Sequence, residues 1–270
     1  MRVGVFVSGM IVALPLVGAS AAEAVKPLIR AHSHNDYMHD RPLLDALDCG
    51  FCSVEADIHL VDGKLLVAHD ADQCKPENTL ERLYLDPLRE RAKANGGRIY
   101  ANGPVVTLLI DLKTGAEDTY AALDKVLERY ADIFTEFRGD QVTERAVTAL
   151  ISGNRPVRTM ANQDVRYAAL DGRPPDLEGD LPATLVPLVS SDWNSLFTWR
   201  GRDDMPETDL AKLREFVGKA HAQGRRVRFW SLPWTPKIWT ILYDEGVDLI
   251  NADNLPGLRA FLLDRATSNP

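Results

Sequence analysis

Residues 42–60, Pro42-Leu43-Leu44-Asp45-Ala46-Leu47-Asp48-Cys49-Gly50-Phe51-Cys52-Ser53-Val54-Glu55-Ala56-Asp57-Ile58-His59-Leu60, decide the fold. A short amphipathic run ends at a glycine, which takes the left-handed conformation of a helix C-cap most readily, and an extended apolar run follows at once. A helix feeding a buried strand in this way is the repeating step of an α/β protein. Within the strand, Glu55 and Asp57 are two apart, so both carboxylates project from one face. Parallel strands are covered outside by helices, so that face points inward, and two like charges there call for a cation between them. Hard oxygen ligands favour Mg²⁺ or Ca²⁺, with Asp111 at the end of the next strand as a third ligand.

The same alternation extends outward from this segment. Strands are expected at Leu28 to Ala31, Cys52 to Leu60, Val105 to Leu112, Ala146 to Ser152, Val165 to Leu170, Leu185 to Ser190, Val227 to Leu232 and Val247 to Ala252. Between them the periodicity predicts helices at Pro42 to Asp48, Ala116 to Phe137, Glu207 to Ala222 and Thr235 to Glu245, with Leu255 to Leu263 closing the chain. Gly50, Gly224 and Gly246 stand where helix C-caps belong. Eight parallel-type strands without a glycine-rich nucleotide-binding motif predict an α/β fold of the (β/α)8 TIM-barrel type, a single domain over residues 25–270. The 270-residue chain is 45% hydrophobic and 26% charged, in keeping with one sizeable core. Its net charge of −8 leaves no basic surface for a nucleic-acid backbone, so that partner class is set aside.

Residues 1–24 differ from the rest. Arg2, an apolar run from Val3 to Val17, and the small residues Ala19-Ser20-Ala21 and Ala22-Glu23-Ala24 compose a secretory signal peptide, cleaved after Ala21 or Ala24. The run is shorter than the ~20 residues that span a bilayer, and Pro15 and Gly18 interrupt it, which disfavours an uncleaved anchor. The mature chain is therefore expected to be exported, periplasmic or secreted, with no transmembrane span. Export permits disulfides, but Cys49, Cys52 and Cys74 are odd in number, and buried thiols or one bridge to Cys74 both fit.

In a barrel, reactive side chains project from the C-terminal ends of strands. The first strand end supplies His32-Ser33-His34-Asn35-Asp36, the second Glu55 and Asp57, the segment after it His69-Asp70, and the third Asp111-Leu112-Lys113. Two imidazoles beside a metal suit phosphodiester cleavage: one accepts the proton of the attacking hydroxyl, the other protonates the leaving oxygen.

The stretch from Pro42 through Glu55-Ala-Asp57, Asp62-Gly63 and Val67-Ala-His69-Asp70 resembles the core of the glycerophosphodiester phosphodiesterase and phosphatidylinositol-specific phospholipase C superfamily. The likeness continues in Leu109-Ile110-Asp111-Leu112-Lys113, in Phe229-Trp230-Ser231 and in Gly246 to Asp253. It implies a barrel with His32 and His69 as the acid/base pair and Glu55, Asp57 and Asp111 around one divalent cation. It further implies Lys113 on the phosphate and Trp230 lining the substrate pocket. His34, Asn35, Asn251 and Asp253 are candidate substrate contacts. The implied substrate is a small-molecule or lipid phosphodiester, with peripheral membrane contact where it is a lipid, and a neighbouring hydroxyl of the substrate acts as nucleophile. Two departures stand out. Ser33-His34 replaces the usual Arg-Gly after the first His, and Asp111 stands where glycerophosphodiesterases tend to have Glu, closer to the sphingomyelinase D branch. Two rivals remain: an amidohydrolase or PHP-type metal hydrolase built on His32-Ser33-His34, and a barrel that binds without catalysing.

Overall fold

The computed structural model describes residues 25–268 apart from Trp234, together with Met1 and Gly4, so the expected signal segment lies almost wholly outside it. Twelve strands follow in chain order: β1 (Leu28–Ser33), β2 (Phe51–Val61), β3 (Lys64–Val67), β4 (Val106–Leu112), β5 (Glu136–Arg138), β6 (Gln141–Thr143), β7 (Val147–Gly153), β8 (Val165–Arg166), β9 (Ala168–Gly172), β10 (Leu188–Asp192), β11 (Arg226–Trp230) and β12 (Ile250–Ala252). Eight of them, β1, β2, β4, β7, β9, β10, β11 and β12, form a parallel sheet in sequential order, with β12 returning to pair with β1. A single bridge, Arg228 to Leu249, closes the ring between β11 and β12. The expected (β/α)8 barrel is therefore what the chain forms.

The helices are α1 (Leu44–Asp48), α2 (Asp86–Ala94), α3 (Ala116–Arg129), α4 (Val157–Ala161), α5 (Trp193–Leu196), α6 (Glu207–Ala222), α7 (Pro236–Asp244) and α8 (Leu255–Ser268). In α3 the buried residues Tyr120, Leu123, Val126 and Leu127 recur at helical spacing and turn one face to the sheet. Gly50, Gly224 and Gly246 all have positive φ at the expected helix ends. At Gly50 no other residue fits, because an added Cβ would lie 2.3 Å from the Lys26 carbonyl oxygen.

Several elements depart from expectation. α3 ends at Arg129, eight residues before Phe137, because the chain turns back and enters the antiparallel sheet β6-β5-β8. There Phe137 joins Leu109, Leu150, Ala169, Leu188 and Leu249 in a small apolar cluster that floors the barrel, separate from the larger core between sheet and helices. The strand expected over Val165 to Leu170 divides into β8, which belongs to that small sheet, and β9, which belongs to the barrel. The strand expected from Leu185 begins only at Leu188, and the one expected from Val247 only at Ile250. All three cysteines are free thiols, so no bridge to Cys74 forms; burial pushes the Cys52 thiol up to about 12.

Candidate active site

Above the apolar floor the barrel interior turns polar, and register explains how. Asp57 on β2 stands opposite Asp111 on β4, and Asp111 opposite Ser152 on β7. On the other side His32 on β1 lies between Ser53 on β2 and Asn251 on β12. Paired residues in parallel strands face the same way, so these side chains share the C-terminal mouth of the barrel.

Glu55, Asp57 and Asp111 each offer a carboxylate oxygen within 4.8 Å of the others, and among the described residues theirs is the one such metal-ligating group. Asp57 Oδ1 is buried with no hydrogen-bond partner, the signature of an oxygen that awaits a ligand. The donor set suits a hard divalent cation. Gly153 makes room for the Asp111 carboxylate: its φ is +66°, and a Cβ there would sit 2.1 Å from Asp111 Oδ1. Lys113 Nζ bridges Asp57 (2.9 Å) and Asp111 (3.3 Å) and serves as their counter-charge. Burial, followed by repulsion from Glu55, raises the Asp57 carboxyl above its ordinary value, and burial likewise raises Asp111. The same burial opposes the Lys113 charge, but Asp57 and Asp111 outweigh it and hold the ammonium above its usual range.

His32 is fully buried. Its Nδ1 is 2.7 Å from Ser53 Oγ, and its Nε2 is 2.7 Å from Nη1 of Arg228. A guanidinium only donates, so Nε2 must accept and the proton sits on Nδ1, directed at Ser53. Although Glu55 lies 3.5 Å from the same nitrogen, His32 is thus neutral rather than ion-paired. Burial, reinforced by the Arg228 charge, pushes its pKa down to about 4. For Glu55 burial works against ionisation, but Arg228, 3.4 Å away, and His32 overcome it and hold the carboxyl well below its usual range.

His69 is half-exposed at the end of the β2–β3 hairpin. Its Nδ1 lies 3.2 Å from Asp57 Oδ2 and 3.1 Å from the Tyr37 hydroxyl. Tyr37 donates to Asp57 at 2.7 Å, which orients both the carboxylate and the imidazole.

The other expected contacts fall around this centre. Asn35, in the left-handed region at φ 46°, points its backbone N–H at Glu55 (3.4 Å), and its side-chain amide lies 2.9 Å from the Tyr37 hydroxyl. His34 pairs with Asp253 at 2.9 Å. Trp230 is partly buried beneath two cations, Arg173 at 4.9 Å and Arg228 at 5.8 Å from the ring centre. Sequence reasoning missed Tyr37 and Arg228. Arg228 carries a signal only in hindsight, as one of two arginines, with Arg226, at alternate positions of β11. It missed a further network as well: buried Asp171 accepts from Ser152 (2.8 Å), Ser190 (2.5 Å) and Arg173 (2.8 Å). The rival reading of His32 and His34 as a metal-binding pair fails on geometry, since both ring nitrogens of His32 are engaged and one faces a cation.

Fold and site together define a phosphodiesterase-type barrel, and the chain belongs to the AIM6-like phosphodiesterase family, whose model matches residues 20–171. The altered inheritance of mitochondria protein 6 of Eremothecium gossypii is 30% identical, over 90% of this chain and 72% of its own length. A homologue in Arthroderma benhamiae is 28% identical, over 86% and 83% respectively. Among solved structures, a glycerophosphodiester phosphodiesterase from Parabacteroides distasonis superposes with a TM-score of 0.54 at 16% identity, covering 89% of this chain and 99% of that one. A calcium-dependent phosphoinositol-specific phospholipase C from a Pseudomonas species gives 0.54 at 11% identity, covering 84% and 88%. These two show the fold alone: each shares the barrel architecture of this chain.

Proposed function

We propose that the chain is an exported, metal-dependent phosphodiesterase that cleaves a glycerophosphodiester or phospholipid-type diester by His/His acid–base catalysis. The observation that carries this reading is the flanking of one carboxylate cluster, with its orphaned Asp57 oxygen, by two imidazoles, one fully buried and one half-exposed at the mouth. Glu55, Asp57 and Asp111 would hold one divalent cation, Mg²⁺ or Ca²⁺, which when bound supplies positive charge to the phosphoryl oxygens. His32, kept neutral by burial, is the base: its Nε2 lone pair takes the proton of the attacking hydroxyl once Arg228 turns from it to a phosphate oxygen. His69, steered through Nδ1 by Asp57 and Tyr37, presents Nε2 to the mouth and protonates the leaving oxygen. Lys113 stands beside the phosphate and supplies counter-charge to Asp57 and Asp111. Asn35, His34 and Trp230 border the substrate.

His32→Ala and His69→Ala should each lose at least about a hundredfold in kcat on a chromogenic phosphodiester while melting within a few degrees of the parent protein. Full turnover by His69→Ala would sink the acid–base assignment, and turnover that survives complete chelation would sink the metal. The N-terminal pattern supports export; an N-terminus read from the purified protein that begins before residue 20 would remove that part.

A further inference from the structure

Beside the catalytic centre, on the β11–β12–β1 side of the mouth, lies a cavity of about 390 Å³ that the proton-transfer chemistry does not use. Its walls are apolar, formed by Leu232, Pro233, Pro236, Ile238 and Trp239 from the segment after β11 and the start of α7. Its polar lining comprises Ser231, Thr235, Asn254, Asn251 and the His34–Asp253 pair, and Asn251 marks its inner end. Asn251 is the register partner of His32, so this inner end meets the reacting centre directly. Its Oδ1 is buried without a hydrogen-bond partner in a residue only 8% exposed. An acceptor left in that state is costly unless a ligand donates to it.

We infer that this cavity seats the chain-bearing alcohol portion of the diester, so that the substrate is a single-chain phospholipid-type diester rather than a bare polyol phosphodiester. The inference rests on the phosphodiesterase reading. A polyol buried here would set hydroxyls against Leu232, Pro233, Pro236, Ile238 and Trp239, at a cost for each one left unpaired. An alkyl chain covers those walls, and one hydroxyl or amide N–H at its root satisfies Asn251 Oδ1. The volume of about 390 Å³ is room for one chain segment.

The test is steady-state kinetics of the full mature chain on 1-acyl-glycero-3-phosphocholines bearing acetyl, butanoyl and octanoyl groups, with glycero-3-phosphocholine as the chain-free member. KM should fall by at least about tenfold from acetyl to octanoyl. In Leu232→Trp, which fills the cavity, and Leu232→Asp, which puts a carboxylate in its wall, that gain should shrink to about twofold or less in proteins that melt like the parent. Turnover of glycero-3-phosphocholine with no gain from the chain overturns the inference and leaves the phosphodiesterase reading standing. So does a chain-length gain that survives in either folded Leu232 variant. Absence of turnover on every member, and on a chromogenic phosphodiester, overturns the parent reading instead.

Discussion

His32 and Gly153 show how much single residues carry. His32 is held neutral with a pKa near 4, below the ~6.5 of an unfolded chain. Between those two values the unfolded chain binds a proton that the native one refuses, so stability falls as pH drops from ~6.5 toward ~4, by at most about 3 kcal/mol. Urea unfolding of the chelated protein across that range should show the decline, and His32→Asn should flatten it. Gly153 does the opposite kind of work, since it contributes an absence. Its missing Cβ leaves the space that Asp111 Oδ1 occupies, 2.1 Å from where that carbon would stand. Gly153→Ala should weaken cation binding by about ten- to a hundredfold in a calorimetric titration, because the ligand itself must move.

Among the elements, the β2–β3 hairpin has the largest consequence for the site. β2 supplies Glu55 and Asp57, and the antiparallel return along β3 brings His69 back over Asp57. The turn between them, Asp62-Gly63, has φ values of 48° and 76°, the pattern of a two-residue hairpin turn with both central residues left-handed. Gly63→Val puts a β-branched side chain into that conformation, with a cost of roughly 1–2 kcal/mol. Because the hairpin aims His69, kcat should fall further than the loss of stability explains; equal kcat in a destabilised variant would count against the hairpin's positioning role. The opposite wall is built differently. β11 and β12 meet through one bridge only, and the segment that follows β11 lines the apolar cavity.

At the scale of the molecule, the barrel concentrates charge at one end and closes the other with an apolar floor. Filling the carboxylate cluster should therefore act on the whole fold: Mg²⁺ or Ca²⁺ at a hundred times its dissociation constant adds about 2.7 kcal/mol to stability. That corresponds to a rise in thermal midpoint on the order of 5–10 °C, and a melt unchanged by chelation and reloading would argue against a bound cation. The barrel, its strand count and the facing of Glu55 and Asp57 were legible in the chain, since strand alternation, helix periodicity and glycine caps act over a few residues and leave their pattern in the sequence. His32, His69 and Asp111 were legible because strand ends are local features too. Tyr37 and Arg228 were not: each acts on a residue brought to it by a different strand, and 196 positions separate Arg228 from the His32 nitrogen it faces. The early end of α3 was hidden for the same reason, since Phe137 leaves helical periodicity only to fill a floor assembled from strands on every side of the barrel. Local pattern settled which elements form and which residues face inward. Register and ring closure alone decided which inward residues meet, and so which histidine is kept neutral, which cation faces it and where an apolar cavity opens beside them.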